Sequence, residues 1–427
     1  VTTVSTEPSE AARETVVATV VNRKALVFFG LLTLGLALII GTQAESGDTT
    51  FRLSTSTDFF ELPEVTVPAT LTTWLMVLVC AACTAFAALQ YVRRQRPPLW
   101  LVVVFALAWM IGFLSWAATG ASVPVIGLLS GSVALAVPLV FGALGGVLGE
   151  RAGVVNIAID GQLLAGAFAA ALVGSWLGSA WAGVAAAMLT GALVALVLGL
   201  FAISYFVDQV IVGVVLNVLV IGLTSFMFTQ VLAPNAESLN SPPRLARVAI
   251  PVLGDIPVIG PVLFRQTLIV YLLYVVVALV TWALYRTKWG LRVRAVGEHP
   301  KAADTVGIKV ARTRYRTILL AGAIVGIGGA FYTLVSVSQF NREMTGGAGY
   351  IALAAVIFGK WDPIRATLAA LLFGFASNLQ GVLSVIGSPV PSQFMLMLPY
   401  VVTIFAVAGL VGQSRAPAAD GVAYKKA

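Results

Sequence analysis

The sequence predicts an all-α polytopic membrane protein with about 11–12 transmembrane helices, half-helix or re-entrant elements included. Three observations point there. Of the 427 residues, 59% are hydrophobic and 10% charged, and the mean hydropathy of +0.97 exceeds what a soluble chain of this length sustains. Apolar runs recur at the length of about 20 residues that crosses a hydrocarbon core of about 30 Å. The cations between the runs then follow a single bias.

In chain order the runs cover 25–41, 69–92, 99–119, 130–149, 154–178, 180–206, 209–232, 267–285, 317–337, 366–386 and 393–412, with a short twelfth at 350–358. They are continuously apolar instead of alternating with period two, so they are helices and not barrel strands. Arg23 and Lys24 precede the first run, and the weak small-residue cleavage pattern after it makes it a retained signal-anchor helix. Cys80 and Cys83 lie one turn apart in the second run with no further metal ligand nearby, which marks them as packing residues.

Lys and Arg near span ends stay in the cytoplasm. Alternating the loops from a cytoplasmic N-terminus places 21 of the 26 Lys and Arg inside; the outer five are Arg52, Arg244, Arg247, Arg265 and Arg342. Both termini are therefore expected inside. The net charge of +8 reads as a basic rim against membrane lipid, with no nucleic acid needed. The expected organisation is a cytoplasmic tail at 1–24, an accessory module of three spans at 25–126, a core at 127–412 and a cytoplasmic tail at 413–427. An outer segment between Leu232 and Thr267 is rich in proline, which predicts an ordered irregular loop or short-helix cap. It suits either a docking surface for a delivery protein or a lid on the bundle.

The stretch ERAGVVNIAIDG, 150–161, breaks two apolar runs with polar groups. An Asp near the midplane costs about 2.5–3.5 kcal/mol on insertion scales, so these groups face protein or water. Glu150 and Arg151 are expected at the cytoplasmic interface and Asp160 deeper. Asn156 and Asp160 either line a translocation path or serve the structure, Asp160 then capping a broken helix or pairing with a neighbouring subunit. Asn217, Asn378 and Gln380, inside other runs, carry the same two readings: path lining, or helix-to-helix hydrogen bonds. The segment 346–363 has too few helical positions before Lys360 to cross alone, and is expected as a half-helix buried in protein.

Nine cations crowd the inside loop 286–316. After Pro300 a short helix is expected, and its small residues Ala302, Ala303 and Gly307 suit insertion into a groove on another protein. The single histidine, His299, lies in this loop without catalytic partners, and no phosphate-loop motif, triad or metal cluster stands anywhere in the sequence. The chain is therefore not expected to be an enzyme. A secondary transporter driven by an ion gradient would be expected to carry more intramembrane ionisable residues than Asp160.

Four segments in order, ERAGVVNIAIDG, DQVIVGVVLNVLVIGLTSFM, GLRVRAVGEHPKAADTVGI and GYIALAAVIFGKWDP, resemble the successive signatures of bacterial nucleoside ABC-transporter permeases. That group sits with the simple-sugar and branched-chain amino-acid permeases, and the resemblance covers about 127–412. It implies a plasma-membrane importer subunit working by alternating access. Its partners would be a second related permease or a copy of itself, two ATP-binding subunits holding ATP and Mg, and an external substrate-binding lipoprotein. No cofactor would sit on this chain. The loop 286–316 would be the element that docks into the ATPase, through Gly297, Glu298, His299, Pro300, Ala302, Ala303, Asp304 and Gly307. Ala302, Ala303 and Gly307 match an EAA-like pattern, whereas Lys301 stands where the general pattern has Glu.

Overall fold

The structure, a computed structural model, describes residues 24–42, 47–54, 61–95, 97–387, 393–394, 397 and 415–425. Among them, nine helices are long and apolar enough to cross a membrane, and two shorter apolar helices accompany them. Almost all of the apolar run expected at 393–412 lies outside the described residues.

The described residues form two compact units. In the first, α1 (Lys24–Thr42), α2 (Ala69–Val92) and α3 (Leu99–Ala117) pack together. Phe29 stacks on Phe105 at 4.2 Å between ring centroids, and Cys80 and Cys83 are buried, free thiols in the same cluster.

The second unit opens with a small sheet in the order β2-β1-β3, made from β1 (Asp48–Arg52), β2 (Val65–Pro68) and β3 (Ser122–Pro124). Its bundle comprises α4 (Val125–Arg151), α5 (Ile159–Trp176), α6 (Ala180–Gly199), α7 (Gln209–Met227), α9 (Leu268–Arg286), α12 (Val310–Phe331), α13 (Ala348–Phe358) and α14 (Pro363–Val385). A π-helical turn extends α6, α7 and α12. The centre is a close-packed group of α4, α5, α6 and α12. Backbone approach sets the α6–α12 contact, since a methyl at Gly326 would collide with the Ala187 carbonyl. Without water to drive association, small residues of this kind bring helices into dispersion contact.

The proline-rich segment between Leu232 and Thr267 contains α8 (Ala236–Leu239) and the strands β4 (Arg247–Ala249) and β5 (Arg265–Thr267), paired antiparallel. It is ordered and irregular, as its prolines require. The cation-rich segment 286–316 is more regular than a loop. It contains α10 (Lys288–Glu298), the expected short helix α11 (Pro300–Thr305), and the first two turns of α12, which start before the apolar run does. The reason for α10 is helical spacing of its buried positions, Gly290, Val293, Val296 and Gly297, beneath a cationic outer face.

Candidate functional site

The polar break before α5 and the half-helix α13 meet inside the bundle. Asp160, in the first turn of α5 and buried, accepts the Gly349 backbone N–H through Oδ1 at 2.9 Å and the Thr345 hydroxyl through Oδ2 at 3.3 Å. Gly349 is in the first turn of α13, and Gly347, at φ 82°, turns the chain into that helix. Asp160 thus caps a neighbouring helix from outside. Its carboxylate satisfies an orphan donor and faces the positive end of the α13 dipole. Gly349 must lack a side chain, because a Cβ there would collide with the Asp160 backbone.

Asn217 on α7 is buried and fully used. Its Oδ1 accepts the Gly161 N–H at 2.8 Å, and its Nδ2 donates to the Ile157 carbonyl at 2.9 Å and the Tyr350 hydroxyl at 3.1 Å. Asn156 pairs with Gln162, Nδ2 to Oε1 at 3.0 Å. Asn156, Asp160 and Asn217 therefore gather around the break that joins α5, α7 and α13. Asn378 does not join them. Its Nδ2 donates to the Leu128 carbonyl at 2.6 Å and to that of Gly127 at 3.4 Å, tying α14 to the first turn of α4, and Gln380 is half-buried further along α14.

The other end of α13 is held as firmly. At 11 residues, α13 is about 16 Å long at the standard rise, too short to cross. Beyond it, Trp361 donates its indole N–H to the Glu150 carboxylate, while its carbonyl accepts the Arg151 Nε–H at 2.9 Å. Glu150, in the last turn of α4, is only 3% exposed, as buried as Asp160. The Trp361 indole is its hydrogen-bond donor there, and Asp420 lies against the same carboxyl.

Helices α10–α12 pack on this same end of α4. A Cβ on Gly297 would strike the Arg151 carbonyl, so α10 presses its backbone against the last turn of α4. Ala303 is buried against Val296 and Val310, whereas Lys301, Ala302 and Gly307 are exposed. Gly307 has φ 83° and open space around it. His299 is exposed and flanks Pro300, the first residue of α11. Glu298 accepts the Ala418 N–H through Oε2 at 3.3 Å, and Asp304 meets the Tyr424 hydroxyl.

Those last contacts belong to a strap, residues 415–425, that lies across α10–α12. The Ala419 N–H donates to the Gly297 carbonyl at 2.9 Å. Arg314, buried with only 1% of its surface exposed, points its fork at three carbonyls: Ala152 at 3.2 Å, Val422 at 2.9 Å and Ala419 at 3.5 Å. Burial holds the Asp420 carboxyl up at about 7, against the opposing pull of the Gly421 N–H, the Arg314 guanidinium and a hydrogen bond with Glu150. Nothing in the sequence singles out Arg314, Trp361 or Asp420. In RTRYRT nothing marks the middle arginine as buried, and a short polar terminus carries no sign of its distant contacts.

Residues 128–407 match the family described as branched-chain amino acid transport system / permease component. The chain is 41% identical to the guanosine ABC transporter permease protein NupQ of Bacillus subtilis, over 68% of this chain and 94% of that one. It is 37% identical to the nucleoside ABC transporter permease protein NupC of Lactococcus lactis, over 68% and 93%. A putative glucose ABC transporter permease protein of Haloferax volcanii, TsgC13, is 34% identical over 60% and 77%. No solved structure matches the chain.

Proposed function

This chain belongs to the branched-chain amino acid transport system permease family, as a membrane-embedded transport subunit, and on that premise we propose that it carries nucleosides through an ATP-driven importer. The observation that carries the substrate class is the likeness, along nearly the whole length of the relative, to a permease named for guanosine. Permeases of this family work with ATPase and substrate-binding partners in general. We place two ATP-binding subunits, which hold ATP and Mg and perform hydrolysis, on the exposed face of α11, where Ala302 and Gly307 lie open. A second, related permease or a copy of this chain completes the pathway, and an external lipoprotein delivers substrate. The cation bias supports cytoplasmic N- and C-termini. The three spans before residue 127 are an accessory module in this reading.

Transport then proceeds by alternating access between two packed arrangements. Movement of the ATPase displaces α11 and α10. Because Gly297 abuts Arg151 and Arg314 ties α12, α4 and the strap together, the last turn of α4 moves with them. Glu150 and Arg151 hold Trp361, so the shift reaches α13, whose far end is anchored by Asp160. In this reading Asn156, Asp160 and Asn217 border the path by fixing α13 beside it; Asn378 and Gln380 stay candidates for its wall.

A relative named as a putative glucose permease favours one second reading, a simple-sugar permease. Uptake by the reconstituted complex of labelled nucleosides, pentoses, glucose and branched-chain amino acids separates them. Nucleoside uptake competed only by other nucleosides is expected; uptake of glucose alone would overturn the substrate class.

A further inference from the structure

Beside the exposed turn between α11 and α12 lies a cavity of about 300 Å³ that the transport reading leaves unused. Four cations line it: Arg292 from α10, Lys309 at the start of α12, and Arg312 and Arg316 one turn apart on the same face of α12. All four are exposed, and among the described residues none is paired with a carboxylate. Four like charges around one cavity repel one another, and an anion held among them would turn that repulsion into attraction.

The neighbours of the cations say which anion. The cavity lies where two membrane-crossing helices end: α9 finishes at Arg286, two residues before α10 begins, and α12 begins at Val310. Trp289, a residue type enriched at membrane interfaces, also lines the cavity. Val306 lines it at 75% exposure, and Leu291, beside Arg292 on α10, is 61% exposed, so apolar surface stands open next to the charges. A molecule with a phosphate at one end and hydrocarbon at the other matches that pairing.

We propose that this cavity binds a phosphate-ester anion, the headgroup of an anionic phospholipid, with Arg292, Lys309, Arg312 and Arg316 around the phosphate and Val306 and Trp289 against its apolar part. Basic pockets between spanning helices bind headgroups in this manner. Only the leaflet, the cytoplasmic one, rests on the orientation proposed above. Since Gly307 also borders the cavity, a bound lipid would sit beside the surface assigned to the ATPase.

The test uses the purified full chain in detergent, without partner subunits, so the importer reading can fail independently. Lipid retention is read by native mass spectrometry and stabilisation by thermal unfolding. Phosphatidylglycerol should be retained and stabilising, and phosphatidylcholine should be neither. The double variant Arg312→Gln/Arg316→Gln should retain phosphatidylglycerol about twenty-fold less well, and Arg292→Gln about fivefold. Lys301→Gln, which removes an exposed cation outside the cavity, should bind like the parent. Because the two variants change separate helices, misfolding of one leaves the other as the test. Three results would overturn the proposal: equal retention by parent and variants, stabilisation by inorganic phosphate with no added effect of the lipid, or no retention of phosphatidylglycerol by the parent chain.

Discussion

Asp160 on α5 accepts the backbone N–H of Gly349 at 2.9 Å, so a carboxylate from one helix caps another that is too short to cross the membrane. Asp160→Asn keeps an acceptor oxygen at this position, whereas Asp160→Ala leaves a buried N–H unpaired. The alanine variant should lose about 1–3 kcal/mol of stability and most of its uptake, and the asparagine variant should keep both near the parent values. Thermal unfolding of the purified chain and uptake by the assembled complex check this. If both variants assembled and transported at the parent rate, Asp160 would have no part in the pathway.

Gly307 combines φ 83° with open surroundings, so its replacement changes what the turn presents and strains the backbone, without disturbing a core. Gly307→Asn suits the left-handed region and should cost little, while Gly307→Trp should insert correctly but let the complex hydrolyse ATP without uptake. The ratio of substrate moved to ATP hydrolysed is the readout. Undiminished uptake in the tryptophan variant would count against this turn as the ATPase contact.

Arg314 holds the carbonyls of Ala152, Ala419 and Val422 with one planar fork. Arg314→Lys preserves the charge but not the fork, and should free the strap to a protease added from the strap side. A loss of about 2–3 kcal/mol is expected in thermal unfolding, from hydrogen bonds made by a charged group. Protection of residues 415–425 equal to that of the parent would show that the strap is held by other contacts.

Asp420 supplies a pH dependence whose sign is definite. Burial raises its folded pKa to about 7, above the unfolded value of about 3.9. The folded chain therefore keeps a proton that the unfolded chain has lost, and the stability this site contributes falls as pH rises from about 4 to about 7. The groups facing it are Glu150, Arg314 and the Gly421 N–H. Docking of the strap should weaken over that window, and Asp420→Asn should flatten the profile; a parent profile that rises with pH from 5 to 7 would contradict the assignment.

Hydropathy alone made the spanning bundle legible, because bilayer thickness imposes a length on every apolar run. The short run at 350–358 and the glycines before it likewise marked α13 as a half-helix, and Pro300 marked the start of α11. Asn156, Asp160 and Asn217 were recognisable as polar groups in apolar surroundings, but their convergence was not, since it depends on how α5, α7 and α13 pack. Asn378 has the same sequence signature and a different partner, the start of α4. The clamp on the other end of α13 left least trace: Glu150, Trp361 and Asp420 are widely separated in sequence, and each looks like an ordinary residue at the end of a span or tail.

That clamp is the central claim, because Trp361 is where motion of the inside helices would pass to α13. Trp361→Phe keeps a ring in place and deletes only the N–H that Glu150 accepts. In the reconstituted complex, coupled uptake should fall about tenfold while ATP hydrolysis continues, the equivalent of about 1.4 kcal/mol, within the range of one buried hydrogen bond. Uptake and hydrolysis both at parent levels in this variant would contradict the account.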